Sequence, residues 1–133
     1  MTNKTDIPGI DFDQSTPVMD RGQIDMLLMV DRGDGDSEAL IRTLFRLFKS
    51  ESAEKLTNLE AVCAANDTAE LRKMVHFVSG SAGNLGLAHL AGFYRALEHA
   101  IVAGRLNDLG ECAIVISSAF DAGCAAFSEE FDA

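Results

Sequence analysis

Tryptophan is absent, tyrosine occurs once, and the only two prolines, Pro8 and Pro17, stand near the N-terminus. Nothing after Pro17 forces a helix to break, so long helices are permitted. Cysteine is scarce: Cys63, Cys112 and Cys124 form an odd set with no CxxC pair. Each falls in a helical apolar pattern, which reads as reduced core thiols in a cytoplasmic protein. Positive charge is also thin. No Lys or Arg follows Arg105, and the formal net charge is −10. Phosphate neutralisation requires clustered cations, so neither nucleic acid nor an anionic membrane surface is an expected partner. No apolar run approaches the ~18 residues of a membrane span. The N-terminus offers only Lys4 and no apolar stretch, so a signal peptide is not expected. Strand alternation, internal repeats and a phosphate-binding Walker loop are all missing.

What is present suits one domain with a single core: 133 residues, 47% of them apolar. Acid concentrates at both ends, from Asp6 to Asp36 and from Asp108 to Asp132, whereas the middle, from about Arg42 to Arg95, is close to balanced. Residues 1–17 are polar without a sustained period and read as a flexible lead to a bundle over 18–133. A short helix is expected from Asp20 to Val30, with Ile24, Leu27 and Leu28 on one side. The run Asp31-Arg32-Gly33-Asp34-Gly35-Asp36 reads as a solvated loop. A calcium loop starting at Asp31 would need glutamate at its twelfth position, where Arg42 stands.

Four longer helices follow. The first starts near Ser37 and carries one stripe, Ile41, Phe45, Phe48, Ser52, Leu56, Leu59 and Cys63, until Asn66 ends it in a left-handed cap. The second opens on Asp67-Thr68-Ala69-Glu70, an acidic capping box, runs along Leu71, Val75, Val78, Ala82 and Leu85, and stops at Gly86. The third aligns Leu87, Leu90, Tyr94, Leu97 and Ile101 and ends at Gly104. The fourth, capped by Asn107, aligns Leu109, Ala113, Ile116, Phe120, Cys124, Phe127 and Phe131. Amphipathic helices joined by short loops predict an all-α fold, an antiparallel four-helix bundle with a short extra N-terminal helix.

Chemistry concentrates on the second long helix. Taking Leu71 as the zero of a wheel, the core stripe stays near zero, while His76 falls at roughly 140° and Gly80 at roughly 180°. His76 thus points outward in mid-helix, with Arg72 and Lys73 one turn before it and Ser79 and Gly80 one turn after. Gly80 and Gly83 each cost a helix interior ~1 kcal/mol against alanine, and Ser79, Ser81 and Asn84 are weak helix formers. A stretch this poor in propensity around one histidine implies that something approaches the backbone closely there. A neutral imidazole is a nucleophile near neutral pH. Arg72 and Lys73 would favour that form and stabilise the roughly two negative charges of a phosphoryl group. Phe77 lies largely off the core and is read either as covered by a neighbouring segment or as an apolar contact for a partner. His89 and His99 form no metal-ligand spacing, and no metal site is expected.

The segment from Leu71 to Gly86 resembles the signature of histidine-containing phosphotransfer (HPt) domains, with His76, Val78, Gly80, Ser81, Leu85 and Gly86 matching in order. Phe48 and Leu56-Leu59 upstream, and Leu90 and Leu97-Glu98 downstream, fit the family as well. The resemblance covers roughly Val18 to the end. It implies a phosphocarrier, not an enzyme in its own right, that takes a phosphoryl group on His76 from a receiver-domain aspartate or a histidine kinase and hands it to a response regulator. Arg72, Lys73, Ser79 and Gly80 would support His76, and Phe77, Gly83 and Asn84 are docking candidates. The implied partners are a receiver domain and a hybrid sensor kinase. No cofactor is expected on this chain, since the magnesium belongs to the receiver, and a monomer suffices. One residue departs from the pattern: the family's usual lysine is replaced by Ser79, expected beside the imidazole at the helix surface, with Lys73 as a candidate substitute. That departure keeps open an alternative, a docking module of the same fold without phosphotransfer.

Overall fold

The computed structural model describes residues 10, 12–13, 15–30 and 38–131. Within them the chain forms six helices and no strand: α1 (Arg21–Val30), α2 (Ala39–Lys55), α3 (Leu59–Ala64), α4 (Thr68–Leu85), α5 (Ala88–Val102) and α6 (Cys112–Phe131). The loop over 31–36 and the Ser37 cap expected from the sequence lie outside the described residues. The helices α2 with α3, α4, α5 and α6 make the four-helix bundle, and α1 is the extra N-terminal helix.

Capping residues set the limits of α4. The Asp67 carboxylate accepts a hydrogen bond from the Glu70 backbone N–H at 3.1 Å, satisfying a donor that the helix itself leaves open. At the other end Gly86 has φ +90°, and a Cβ there would stand 2.8 Å from Ile24 Cγ1. Gly86 is required twice, for its left-handed backbone and for the close seat of α1. Its carbonyl accepts from the Asp20 N–H at 2.8 Å, and Asp20 in turn caps α1 through the Gln23 N–H at 3.2 Å.

The core closes around aromatic contacts. Phe45 stacks on Phe127 with centroids 4.5 Å apart, and Phe48 meets Phe120 at 5.8 Å. Buried Tyr94 donates to the Ile116 carbonyl at 2.7 Å, tying α5 to α6, and burial pushes its phenol above the ordinary tyrosine range. By length and composition α6 could cross a membrane, contrary to the reading that no apolar run approaches that length. In this fold one face of α6, including Ile116, Phe120, Cys124 and Phe127, is buried in the bundle.

Three elements differ from the sequence reading. The single helix expected up to Asn66 is two helices, because the backbone turns at Leu56-Thr57-Asn58. Thr57 N–H bonds back to Glu54 O and Leu59 N–H to Leu56 O, i to i−3 closures that tighten the chain out of the α-helix. Thr57 Oγ1 also donates to Ala53 O at 3.1 Å. The apolar stripe runs on across the turn, with Leu59 and Cys63 buried, so periodicity concealed the break. Asn66 does take φ 53°, and its Oδ1 accepts from the Leu109 N–H at 2.8 Å. That bond holds Leu109 in the connection, so α6 begins at Cys112, and Asn107 donates instead to the Gly104 carbonyl at 2.9 Å, beside the end of α5. Thirdly, the described part of the segment read as a flexible lead packs on the bundle. Phe12 meets His89 edge-on at 5.0 Å and Phe93 at 5.7 Å, and His89 Nδ1 donates to the Thr16 carbonyl at 2.8 Å.

Candidate functional site

Helix α4 lies at the centre of the bundle, touching α1, α2, α3 and α5. Leu71, Val75, Val78, Ala82 and Leu85 are all buried, so the opposite side of the helix is presented outward. His76 sits in mid-helix on that side, with 73% of its side chain exposed.

The ring is not free to turn. Both carboxylate oxygens of Glu98, on α5, stand 3.0 Å from His76 Nδ1. A carboxylate only accepts, so Nδ1 carries a proton and donates, and in the neutral imidazole Nε2 is the nitrogen with the lone pair. Glu98 is itself only 13% exposed in its side chain, which gives the anchor little freedom. Sequence reasoning placed Glu98 merely in the family's continuation. Its partnership with His76 spans 22 residues and two helices, and no local spacing signals it.

The two cations expected to support His76 are both engaged. Arg72 Nε lies 3.7 Å from the same Glu98 carboxylate, and Lys73 Nζ lies 4.0 Å from Glu70 one turn back. Arg72 is therefore drawn to the α5 side of the ring and Lys73 away from it.

Gly80 opens the surface: a Cβ placed there would meet nothing within 4 Å. Ser79 is a correction. It is 5% exposed, buried on α4, and its hydroxyl donates to the His76 carbonyl at 3.0 Å. It does not stand beside the imidazole at the surface, because the ~60° that separates residues i and i+3 turns it inward.

Of the docking candidates, Asn84 is exposed, and its carbonyl accepts from Gln23 Nε2 at 2.7 Å. Gly83 is half-buried, where a Cβ would come to 3.8 Å from Ala91 Cβ, so it marks the approach of α5 rather than an open patch. Phe77 is half-buried, packs on the core, and has Lys55 Nζ 5.1 Å from its ring centroid, a cation–π distance. Lys55, at the end of α2, thus lies over one face of the ring. His89 holds the N-terminal segment, and His99 is exposed. The three thiols are buried. Desolvation pushes Cys63 and Cys124 up to about 11 and raises Cys112 as well.

The model of the Hpt domain family matches residues 43–129 of this chain. Among solved structures, the chain is similar to the crystal structure of histidine-containing phosphotransfer protein B (HptB) from Pseudomonas aeruginosa PAO1. The two share 26% sequence identity with a TM-score of 0.69, over 87% of this chain and 96% of that one. No curated protein matches the chain.

Proposed function

The chain belongs to the Hpt domain family, and on that premise we propose that it carries phosphoryl groups in a phosphorelay with His76 as the acceptor. The observation that carries this reading is the bond from His76 Nδ1 to Glu98, which leaves Nε2 exposed and nucleophilic in the middle of an outward-facing helix. Nε2 attacks the phosphorus of an aspartyl phosphate on a receiver domain. The N–P bond forms, the P–O bond to the aspartate breaks, and the aspartate leaves as carboxylate. The imidazole keeps its Nδ1 proton against Glu98, and the reverse steps deliver the group to a second receiver. Phosphoryl transfer asks chiefly for in-line positioning and charge neutralisation. The carboxylate positions the ring, and the open space at Gly80 admits the donor. Magnesium enters with the receiver.

The test is incubation with a phosphorylated receiver domain. Acid-labile, base-stable phosphate should form on the native protein and be lost in His76→Gln. That substitution should leave helical content and Tm nearly unchanged, since the His76 side chain is largely exposed and such surface changes stay within ~0.5 kcal/mol. Label that persists in His76→Gln would move the acceptor elsewhere. A second reading, docking without transfer, is favoured by the serine at position 79, and a native protein that binds receivers yet takes no label from any would establish it.

A further inference from the structure

Phosphorylation of His76 would place about two negative charges on a ring already held by the Glu98 carboxylate. The cations of the same helix are occupied, Arg72 by Glu98 and Lys73 by Glu70. A third cation lies on the neighbouring helix. Two contacts set the register of the antiparallel pair α4 and α5: His76 against Glu98, and the Gly83 Cβ position against Ala91. Each step forward on α4 from His76 to Gly83 matches one step back on α5 from Glu98 to Ala91. Arg95 therefore stands level with Ser79, one turn along from the His76–Glu98 pair. It is exposed, and among the described residues no carboxylate forms an ion pair with it. The offset along the axis is about 4.5 Å, three residues at ~1.5 Å each, which is within the reach of an arginine side chain. Position 79 carries a small, buried residue and Gly80 beside it has no side chain, with open space where its Cβ would be, so neither position presents a bulky group to an arginine reaching toward the ring.

We infer that Arg95 is the residue that binds the phosphoryl group on His76, reaching across from α5 over Ser79 and Gly80. The inference rests on the phosphocarrier reading above and adds the group that holds the charge. The arginine fork suits phosphate oxygens, and an exposed pair of this kind weakens with salt.

The experiment uses the full chain and a small donor, phosphoramidate, so that no partner surface is involved. The Nε2 lone pair forms the N–P bond, the donor's P–N bond breaks, and the protonated amine leaves as ammonia. The labelled fraction is read across a salt series for the native protein and for Arg95→Gln, Arg95→Lys, Lys73→Gln and His76→Gln. Arg95→Gln should lower the labelled fraction roughly three- to tenfold at low salt and less at high salt. Arg95→Lys should keep most of the label, and Lys73→Gln should lose little. Native labelling in Arg95→Gln, a loss in Arg95→Lys as large as in Arg95→Gln, or an equal loss in Lys73→Gln would overturn the assignment while leaving His76 as acceptor. Absence of label on the native protein, from phosphoramidate and from receivers alike, would overturn the functional reading itself and Arg95's role with it.

Discussion

Glu98 and His76, on different helices, meet at 3.0 Å through the carboxylate and Nδ1. This one contact decides which ring nitrogen is protonated, which is nucleophilic, and in which direction the nucleophile faces. It also recruits Arg72, whose Nε lies 3.7 Å from the same carboxylate.

Removing the carboxylate should therefore slow phosphorylation without unfolding the bundle. A hydrogen bond to a charged group is worth about 1.5–3 kcal/mol, so Glu98→Ala should lower the transfer rate to His76 roughly ten- to hundredfold. Glu98→Gln, which can still accept from Nδ1, should fall in between. Rapid-quench labelling with a phosphorylated receiver measures both. A native rate in Glu98→Ala would mean that the ring needs no anchor.

Gly80→Gln should stabilise the free protein and impair transfer. The position is helical and exposed, with open space where a Cβ would go, so the gain is the propensity difference, a few tenths to ~1 kcal/mol. The glutamine side chain then fills the space one turn beyond His76. Urea melts and transfer rates should move in opposite directions, and unchanged transfer would show that no donor comes close at Gly80.

Ser79→Lys has a different expected outcome from the one suggested by the sequence alone. A lysine on the exposed surface would simply add charge near the ring. Ser79 is buried, so the longer chain must push out along the α4 surface, level with Arg95. The expected cost is about 1–2 kcal/mol from overpacking, seen as a Tm lower by several degrees. An unchanged Tm would show that the seam has room for a lysine stem.

Alkali should unfold the protein through its thiols. Burial raises Cys63 and Cys124 to about 11 from the ordinary 9.0. In the folded state these groups hold their protons to higher pH than in the unfolded chain. Their contribution is complete below pH 9 and is lost as the pH rises toward 11. Tyr94, raised by burial, acts in the same sense at still higher pH. The urea midpoint should fall across this window in the native protein and fall less in Cys63→Ala/Cys124→Ala. Parallel curves for the two proteins would exclude the thiols as the cause.

By itself the sequence determined whatever depends on neighbours within a turn or two. The Asp67 cap, the Gly86 stop, the buried stripe of α4 and the outward aim of His76 all follow from local hydrogen bonds and a 3.6-residue period, and all are present. The bare surface at Gly80 was legible for the same reason, since a missing side chain is a local fact. The tertiary structure decided what depends on which helix lies alongside. Periodicity cannot register a turn that leaves the apolar stripe in phase, so the break at Leu56-Thr57-Asn58 was hidden. Nor does a wheel drawn for one helix say how wide a strip its neighbours cover, so Ser79 was placed at the surface although it is buried in the bundle. Glu98 was read only as part of the family's continuation, because the distance between two helices is set by packing and not by spacing along either one. Only the docking of α5 against α4, in the register that brings Glu98 to His76, turns an exposed histidine into an oriented nucleophile.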